Sequence, residues 1–146
     1  MNRWLVDASV LLASEDRDDA NHAQARRLLV GSDPLATLDL AFYEVTNVAV
    51  RSWRDLAAAH RLLERVAAVA DDGGLVWADA ALLAVAASIA DEQAISVYDA
   101  AYVAAARACD ARLVSCDVRD LASRGLACRP GEALAGVPRV ETPEGG

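Results

Sequence analysis

Trp4-Leu5-Val6-Asp7 is a short apolar run that ends on an acid, and Arg112-Leu113-Val114-Ser115, followed by Cys116-Asp117, repeats the pattern far along the chain. Such runs are too short for helices and do not alternate with polar residues, so they read as strands buried on both faces, as in a parallel sheet. Leu35 to Leu38 and Leu75-Val76-Trp77 read as two further strands. Between them the apolar spacing predicts helices over Ala8–Ser14 and over Asn21–Val30, the second closed by Gly31 and a turn through Ser32-Asp33-Pro34. Asp39 is the expected N-cap of a helix running to about Ser52. Further helices are expected over Asp55–Ala70, stopping at Asp71-Asp72-Gly73-Gly74, over Asp79–Asp91, from a Ser96 cap to about Cys109, and over Asp117–Ser123, ended near Gly125. Leu126-Ala127-Cys128 is a candidate last strand. Strands alternating with helices specify an α/β fold whose parallel sheet is covered on both faces. Residues 1–140 are expected to form one domain, and 141–146, with Pro143 and two terminal glycines, a disordered tail.

Composition narrows the chemistry. The 146 residues carry 22 acids against 14 bases, a net charge of −8, which argues against broad electrostatic attraction to nucleic acid. It leaves open a nuclease whose bound divalent cations and local arginines offset the field. Every base is arginine; lysine is absent, so a P-loop nucleotide site, which needs its motif lysine, is excluded. Cys109, Cys116 and Cys128 are odd in number without CxxC spacing, and read as free buried thiols. No signal peptide is expected before Asp7, and the most apolar run, Ala78 to Ala90, is too short for a membrane span, so a cytoplasmic protein is expected.

The candidate chemistry lies in four acids. Asp7 and Asp117 stand at strand ends, where ligand sites of open α/β sheets gather. Each could instead simply cap the helix that follows it. Glu44 sits on a mostly apolar helix with Asn47 three residues on; it either joins a site or faces water and pairs with an arginine such as Arg51. Asp99 follows Ser96 at capping-box spacing, a role compatible with projecting toward the sheet edge. Together, three or four carboxylates from separate elements would supply an oxygen half-shell for a hard cation. His22 and His60, the only histidines, adjoin no acid motif, so magnesium or manganese is expected rather than zinc.

Leu5-Val6-Asp7-Ala8-Ser9-Val10 resembles the opening motif of PIN-domain ribonucleases, and Glu44-Val45-Thr46-Asn47 resembles that family's Glu-x-x-Asn segment. Val97-Tyr98-Asp99-Ala100-Ala101-Tyr102 is similar to its third acidic motif, and Leu113-Val114-Ser115-Cys116-Asp117 to its Thr-x-Asp motif, with serine where threonine is commoner. The four occur in order from Trp4 to about Leu121. The size resembles the VapC type, the toxin half of a VapBC toxin–antitoxin pair. The resemblance implies a Rossmann-like three-layer α/β/α sandwich and magnesium-dependent cleavage of RNA, in which metal-activated water hydrolyses a phosphodiester. It implies metal ligation through Asp7, Asp99 and Asp117, with Glu44 as ligand or base. It further implies support from the hydroxyls of Ser9 and Ser115 and from Asn47, with Asp120 in an outer shell. A VapB-type antitoxin and a homodimer are the implied partners, and an acidic pocket would suit an antitoxin arginine.

Two alternatives belong to other classes: a PIN-fold nuclease outside toxin–antitoxin pairs, and a binding module with a degenerate site. Arg17, Arg26, Arg27, Arg51 and Arg54 read as solvated surface, or alternatively as a phosphate-guiding rim. Trp4, Trp53 and Trp77 are expected in the core or an interface rather than as base-stacking platforms.

Overall fold

A computed structural model describes residues 3–136. The tail expected at 141–146, and the last residues of the expected domain, lie outside the described residues. Four parallel strands form the sheet: β1 (Trp4–Val6), β2 (Leu35–Leu38), β3 (Leu75–Val76) and β4 (Arg112–Val114). Their order is β3-β2-β1-β4. Trp4 pairs with Leu35 on one side and Arg112 on the other, so β1 is central and fully buried. The chain works outward from β1 through β2 to β3 and then returns to lay β4 on β1's other flank. That reversal puts the topological switch between β1 and β4, where a crevice opens beyond the strand ends.

Among the described residues seven helices surround the sheet: α1 (Ala8–Glu15), α2 (His22–Leu29), α3 (Leu40–Asn47), α4 (Leu56–Asp72), α5 (Ala80–Gln93), α6 (Val97–Ala108) and α7 (Pro130–Leu134). Helix α6 lies along β1, β2 and β4 and is itself covered by α5. Its sequence explains the fit: Ala100, Ala101, Ala104, Ala105 and Ala106 are all buried, and side chains this small let helix and sheet approach closely. Helix α4 lies along β2 and β3, with α1 and α3 beside it. The result is a Rossmann-like three-layer α/β/α sandwich with a parallel core.

The expected strands are present, with differences that have local causes. Trp77 is exposed and leaves β3 at two residues. Asp39 does not cap α3: its backbone is already helical, and its carboxylate instead accepts the Ala78 N–H (3.1 Å), clasping the ends of β2 and β3. The expected helix Asp39–Ser52 stops at Asn47 and continues as one π-helical turn, Val48–Ser52. The expected helix over Asp117–Ser123 is absent: the Asp117 carboxylate accepts the Asp120 N–H (2.9 Å) as a cap would, but the backbone closes wide turns, Ala122 N–H to the Asp117 carbonyl (3.0 Å) and Ser123 N–H to the Val118 carbonyl (2.7 Å), and only a 3₁₀ turn, Ala122–Arg124, follows. The strand proposed at Leu126–Cys128 reduces to a single bridge between Val114 and Cys128. Helix α7 was not anticipated, although Pro130 stands at a position where proline favours helix starts. The three cysteines are free; Cys128 is buried, and Cys109 and Cys116 are half-buried.

Among the described residues no single helix is long and apolar enough to cross a membrane. The apolar pair α5–α6 bends by 118° between its members, and α6 is packed in the core.

Candidate active site

The last residue of β1 hands the chain to Asp7, whose N–H still donates to the Val114 carbonyl (3.2 Å) of β4. The neighbouring Val6 carbonyl accepts from the buried Thr37 hydroxyl of β2 (2.8 Å), so the backbone before Asp7 is held from both sides. Asp7 is the N-cap of α1, accepting the Val10 N–H (3.3 Å), and is 4% exposed. Capping and a site position therefore coexist, since the first turn of α1 begins where the sheet ends.

Ser9 knits this end of the sheet together. Its hydroxyl donates to Asp7 Oδ1 (2.5 Å), accepts the Cys116 N–H (2.9 Å) and lies 3.3 Å from Ser115 Oγ. Ser115, fully buried, accepts the Asp117 N–H (3.0 Å). Two serines thus tie the Asp7 and Asp117 segments into one rigid corner. The structure brings Ser9 and Ser115 to the acids; Asn47 is exposed and makes no side-chain hydrogen bond among the described residues.

Asp99 is in the first turn of α6, with its N–H donating to Ser96 (3.0 Å), and its carboxylate faces the loop after β4. Carboxylate oxygens of Asp99, Asp117 and Asp120 all lie within 4.8 Å of one another. Asp120, read as an outer-shell residue, belongs to this closest trio, because the turn made by Asp117 swings it back toward α6. Glu44 does not pair with Arg51. Its Oε1 accepts the phenol proton of Tyr102 (2.6 Å), which stands one helical turn beyond Asp99 on α6. Sequence reading missed a role for Tyr102; the only hint was a second tyrosine, three residues after Asp99, on a helix rich in alanine.

The charges of these groups are felt in sequence. Burial pushes the Asp7 carboxyl up to about 6, Glu44 adds to the rise, and the hydroxyls of Ser115 and Ser9 oppose it. Burial raises Glu44, with Asp99 adding to it and the Tyr102 bond opposing. Burial raises Asp99, with Asp117 and Asp120 adding to it. Burial and the Glu44 charge drive the Tyr102 phenol far above its ordinary range, which keeps it a proton donor. Among the described residues Asp7, Glu44, Asp99 and Asp117 form no ion pair; Asp120 alone has arginines near it, Arg119 at 3.7 Å and Arg124 at 4.0 Å.

The donor set suits a hard divalent cation. It is made of carboxylate oxygens with no histidine or thiolate, and three donors lie within small side-chain adjustments of a shared ion.

The sequence profile of the PIN domain matches residues 4–124. The chain belongs to the PIN domain family. Solved structures resemble this PIN domain across nearly its whole length. A toxin–antitoxin complex from Klebsiella pneumoniae aligns at 16% identity and a TM-score of 0.63, over 86% of this chain and 96% of that one. PAE2754 from Pyrobaculum aerophilum aligns at 27% identity and a TM-score of 0.67, over 93% and 89%. VapC20 of Mycobacterium tuberculosis, a sarcin–ricin-loop-cleaving toxin, aligns at 23% identity and 0.64, over 84% and 95%. A comparison with curated protein sequences gives no significant match.

Among the described residues Arg17, Arg26, Arg27, Arg51 and Arg54 form no ion pair with the acids. Arg26 lines a cavity of about 360 Å³ with Ser14, Leu35, Arg65 and Asp72, near the start of β2 and so at the opposite end of the sheet. Arg51 lines a groove of about 910 Å³ that also contains Glu44, Asn47, Tyr43 and Tyr98.

Proposed function

We propose that this PIN domain is the VapC-type toxin of a toxin–antitoxin pair and acts as a divalent-metal-dependent endoribonuclease. One observation carries the reading: Asp7, Glu44, Asp99 and Asp117, from four separate segments, converge at the switch point without a basic partner among the described residues. Uncompensated carboxylates raise each other's proton affinity and cost stability, and a cation removes that cost.

Asp99, Asp117 and Asp120 would hold magnesium, or manganese, with Asp7 completing the acidic wall through the Ser9–Ser115 corner. Bound there, the cation neutralises a phosphodiester and lowers the pKa of water. Glu44, raised by burial and by Asp99, is suited to hold a water of the cation and accept its proton, so that its orientation bears on metal affinity as well as on proton transfer, while Tyr102 fixes its other oxygen. Ser9, through its bond to Asp7, keeps that carboxylate aimed and partly charged.

A VapB-type antitoxin fits the groove beside Glu44. Its wall exposes Tyr43 (74%) and Tyr98 (63%), apolar surface suited to a protein partner, and an arginine entering from it would meet carboxylates. A second copy of the chain is the other proposed partner, and the cytoplasm, where RNA and antitoxin would meet it, is the proposed compartment.

The test is purified protein on total RNA with magnesium or with chelator, followed by sequencing of the cut ends. Magnesium-dependent cuts at defined positions, lost in Asp117→Asn, are expected. Cutting that persists in chelator, or in Asp117→Asn, would overturn the reading.

A further inference from the structure

We infer that Tyr102 is a positioning residue for the acid cluster, acting through its phenol on Glu44; the inference rests on the metal-site reading above. Three observations carry it. The phenol oxygen donates to Glu44 Oε1 at 2.6 Å, and the tyrosine is buried at 2% exposure, so water can compete for the bond only from the Glu44 side. Tyr102 stands at i+3 from Asp99, so one face of α6 presents both the acid and the phenol. The phenol also lies near enough to the start of α1 to feel the Asp7 carboxylate and the Ala8 backbone amide.

A single side chain therefore touches the three elements that bring Asp7, Glu44 and Asp99 together. Glu44 on α3 has no other side-chain partner among the described residues, and α3 and α6 belong to different parts of the sandwich. Without the phenol, Glu44 has three free torsions and an incentive to swing into the adjoining groove, away from Asp99. With it, one oxygen is tied and the other is held on the side of the acids. A donor that orients a carboxylate beside a metal is the kind of contact whose loss weakens metal affinity by roughly ten-fold or more.

The experiment measures Mn²⁺ affinity by titration calorimetry on the full chain, with no RNA needed. Tyr102→Phe keeps the ring and removes only the hydroxyl; it is expected to weaken Mn²⁺ about ten-fold. Glu44→Asp keeps the charge but withdraws the carboxylate from the phenol, and is expected to weaken Mn²⁺ similarly; because it leaves the core ring untouched, it tests the contact even if Tyr102→Phe folds poorly. Tyr102→Phe in a Glu44→Gln background is expected to add nothing, since the phenol acts only through the Glu44 carboxylate. A merely structural tyrosine would instead give the same loss in both backgrounds. Wild-type affinity in Tyr102→Phe or Glu44→Asp, or additive losses in the double variant, would overturn the inference. Asp99→Asn separates the two readings: if it too binds Mn²⁺ like the wild type, the metal site itself is wrong; if it loses binding while Tyr102→Phe does not, only the role of Tyr102 is wrong.

Discussion

The two ends of the sheet treat charge in opposite ways. At the end where the strands begin, acids have partners of opposite sign or firm donors. Glu15 is held by Arg61 (2.6 Å) and Arg65 (3.2 Å), and Arg65 also donates to the buried Ser14 hydroxyl (2.8 Å). Asp72 accepts the Leu35 N–H (3.0 Å), and Asp33 accepts the Trp4 indole N–H (2.9 Å). At the end where the strands finish, Asp7, Glu44, Asp99 and Asp117 lean on hydroxyls, amides and one another. The first arrangement secures the fold. The second stores repulsion at a place the topology opens to ligands, which is how sites trade stability for chemistry.

Two substitutions of opposite character break this comparison most forcefully. Asp99→Asn or Asp117→Asn is expected to lower magnesium-dependent RNA cleavage by about 100-fold or more, equivalent to roughly 2.7 kcal/mol of barrier, while the fold survives. Cleavage rates paired with circular dichroism of each variant check this. At the other end Gly73→Ala should do the reverse. A β-carbon on Gly73 would lie 2.1 Å from the Leu35 carbonyl oxygen, and backbone cannot rotate away as a side chain can. A loss of about 3 kcal/mol, at the top of the overpacking range, is expected in denaturant melts. Cleavage per folded molecule should stay normal. A stable Gly73→Ala would mean that β2 and the end of α4 are less tightly seated than they stand here.

The same contrast explains what could be read beforehand. Strands ending in acids are visible in a sequence because burial and placement are local: Leu5-Val6 and Leu113-Val114 announce themselves, and Asp7 and Asp117 follow. Ser9 and Ser115 are legible only because their segments resemble the PIN motifs. The Glu44–Tyr102 bond is not, since it joins residues 58 positions apart and depends on how α3 and α6 pack. The closeness of Asp120 to Asp99 and Asp117 is illegible for a related reason. It depends on how the chain after Asp117 folds: the Asp117 carboxylate takes the Asp120 amide, and the backbone then closes wide turns instead of a helix. Asp39 misled in the same way, as a strong capping residue whose carboxylate serves the neighbouring strand. Short polar side chains have several backbone partners within reach, and tertiary contacts choose among them.

Acidity sharpens the comparison further. Asp7 has a folded pKa of about 6 against an ordinary value of 3.8, so between those values the native state binds more protons than the unfolded one. The stability this group contributes is fully present below the unfolded value and is lost as pH rises through about 6. The shift corresponds to about 3 kcal/mol at most. In chelator, the stability of Asp7→Asn relative to wild type should therefore rise between pH 4 and pH 7 by up to about 3 kcal/mol. Magnesium at about a hundred times its dissociation constant should return about 2.7 kcal/mol to the wild type and much less to the variant. Melts of both proteins across that range check the sign. A difference that does not change with pH would mean that burial does not hold the Asp7 carboxyl above its ordinary value.

The smallest expected effect lies back at the strand-start end, on its most exposed ion pair. Arg61 and Arg65 share Glu15, but the Arg61 side chain is 52% exposed and the Arg65 side chain 25%. Water and salt screen the first pair, and holding a long side chain in place costs entropy, so Arg61→Ala should cost little. Arg65 also binds the Ser14 hydroxyl, which has no water to replace it, so Arg65→Ala should cost more. The ordering separates packing from charge. Raising the salt should erase most of the Arg61→Ala loss and little of the Arg65→Ala loss. If both losses vanish equally in high salt, this end of the sheet is held by screened surface charge, and its contrast with the acid cluster is one of sign alone. If the Arg65 loss persists, the buried hydroxyl contact is what distinguishes an end built to hold from an end built to bind.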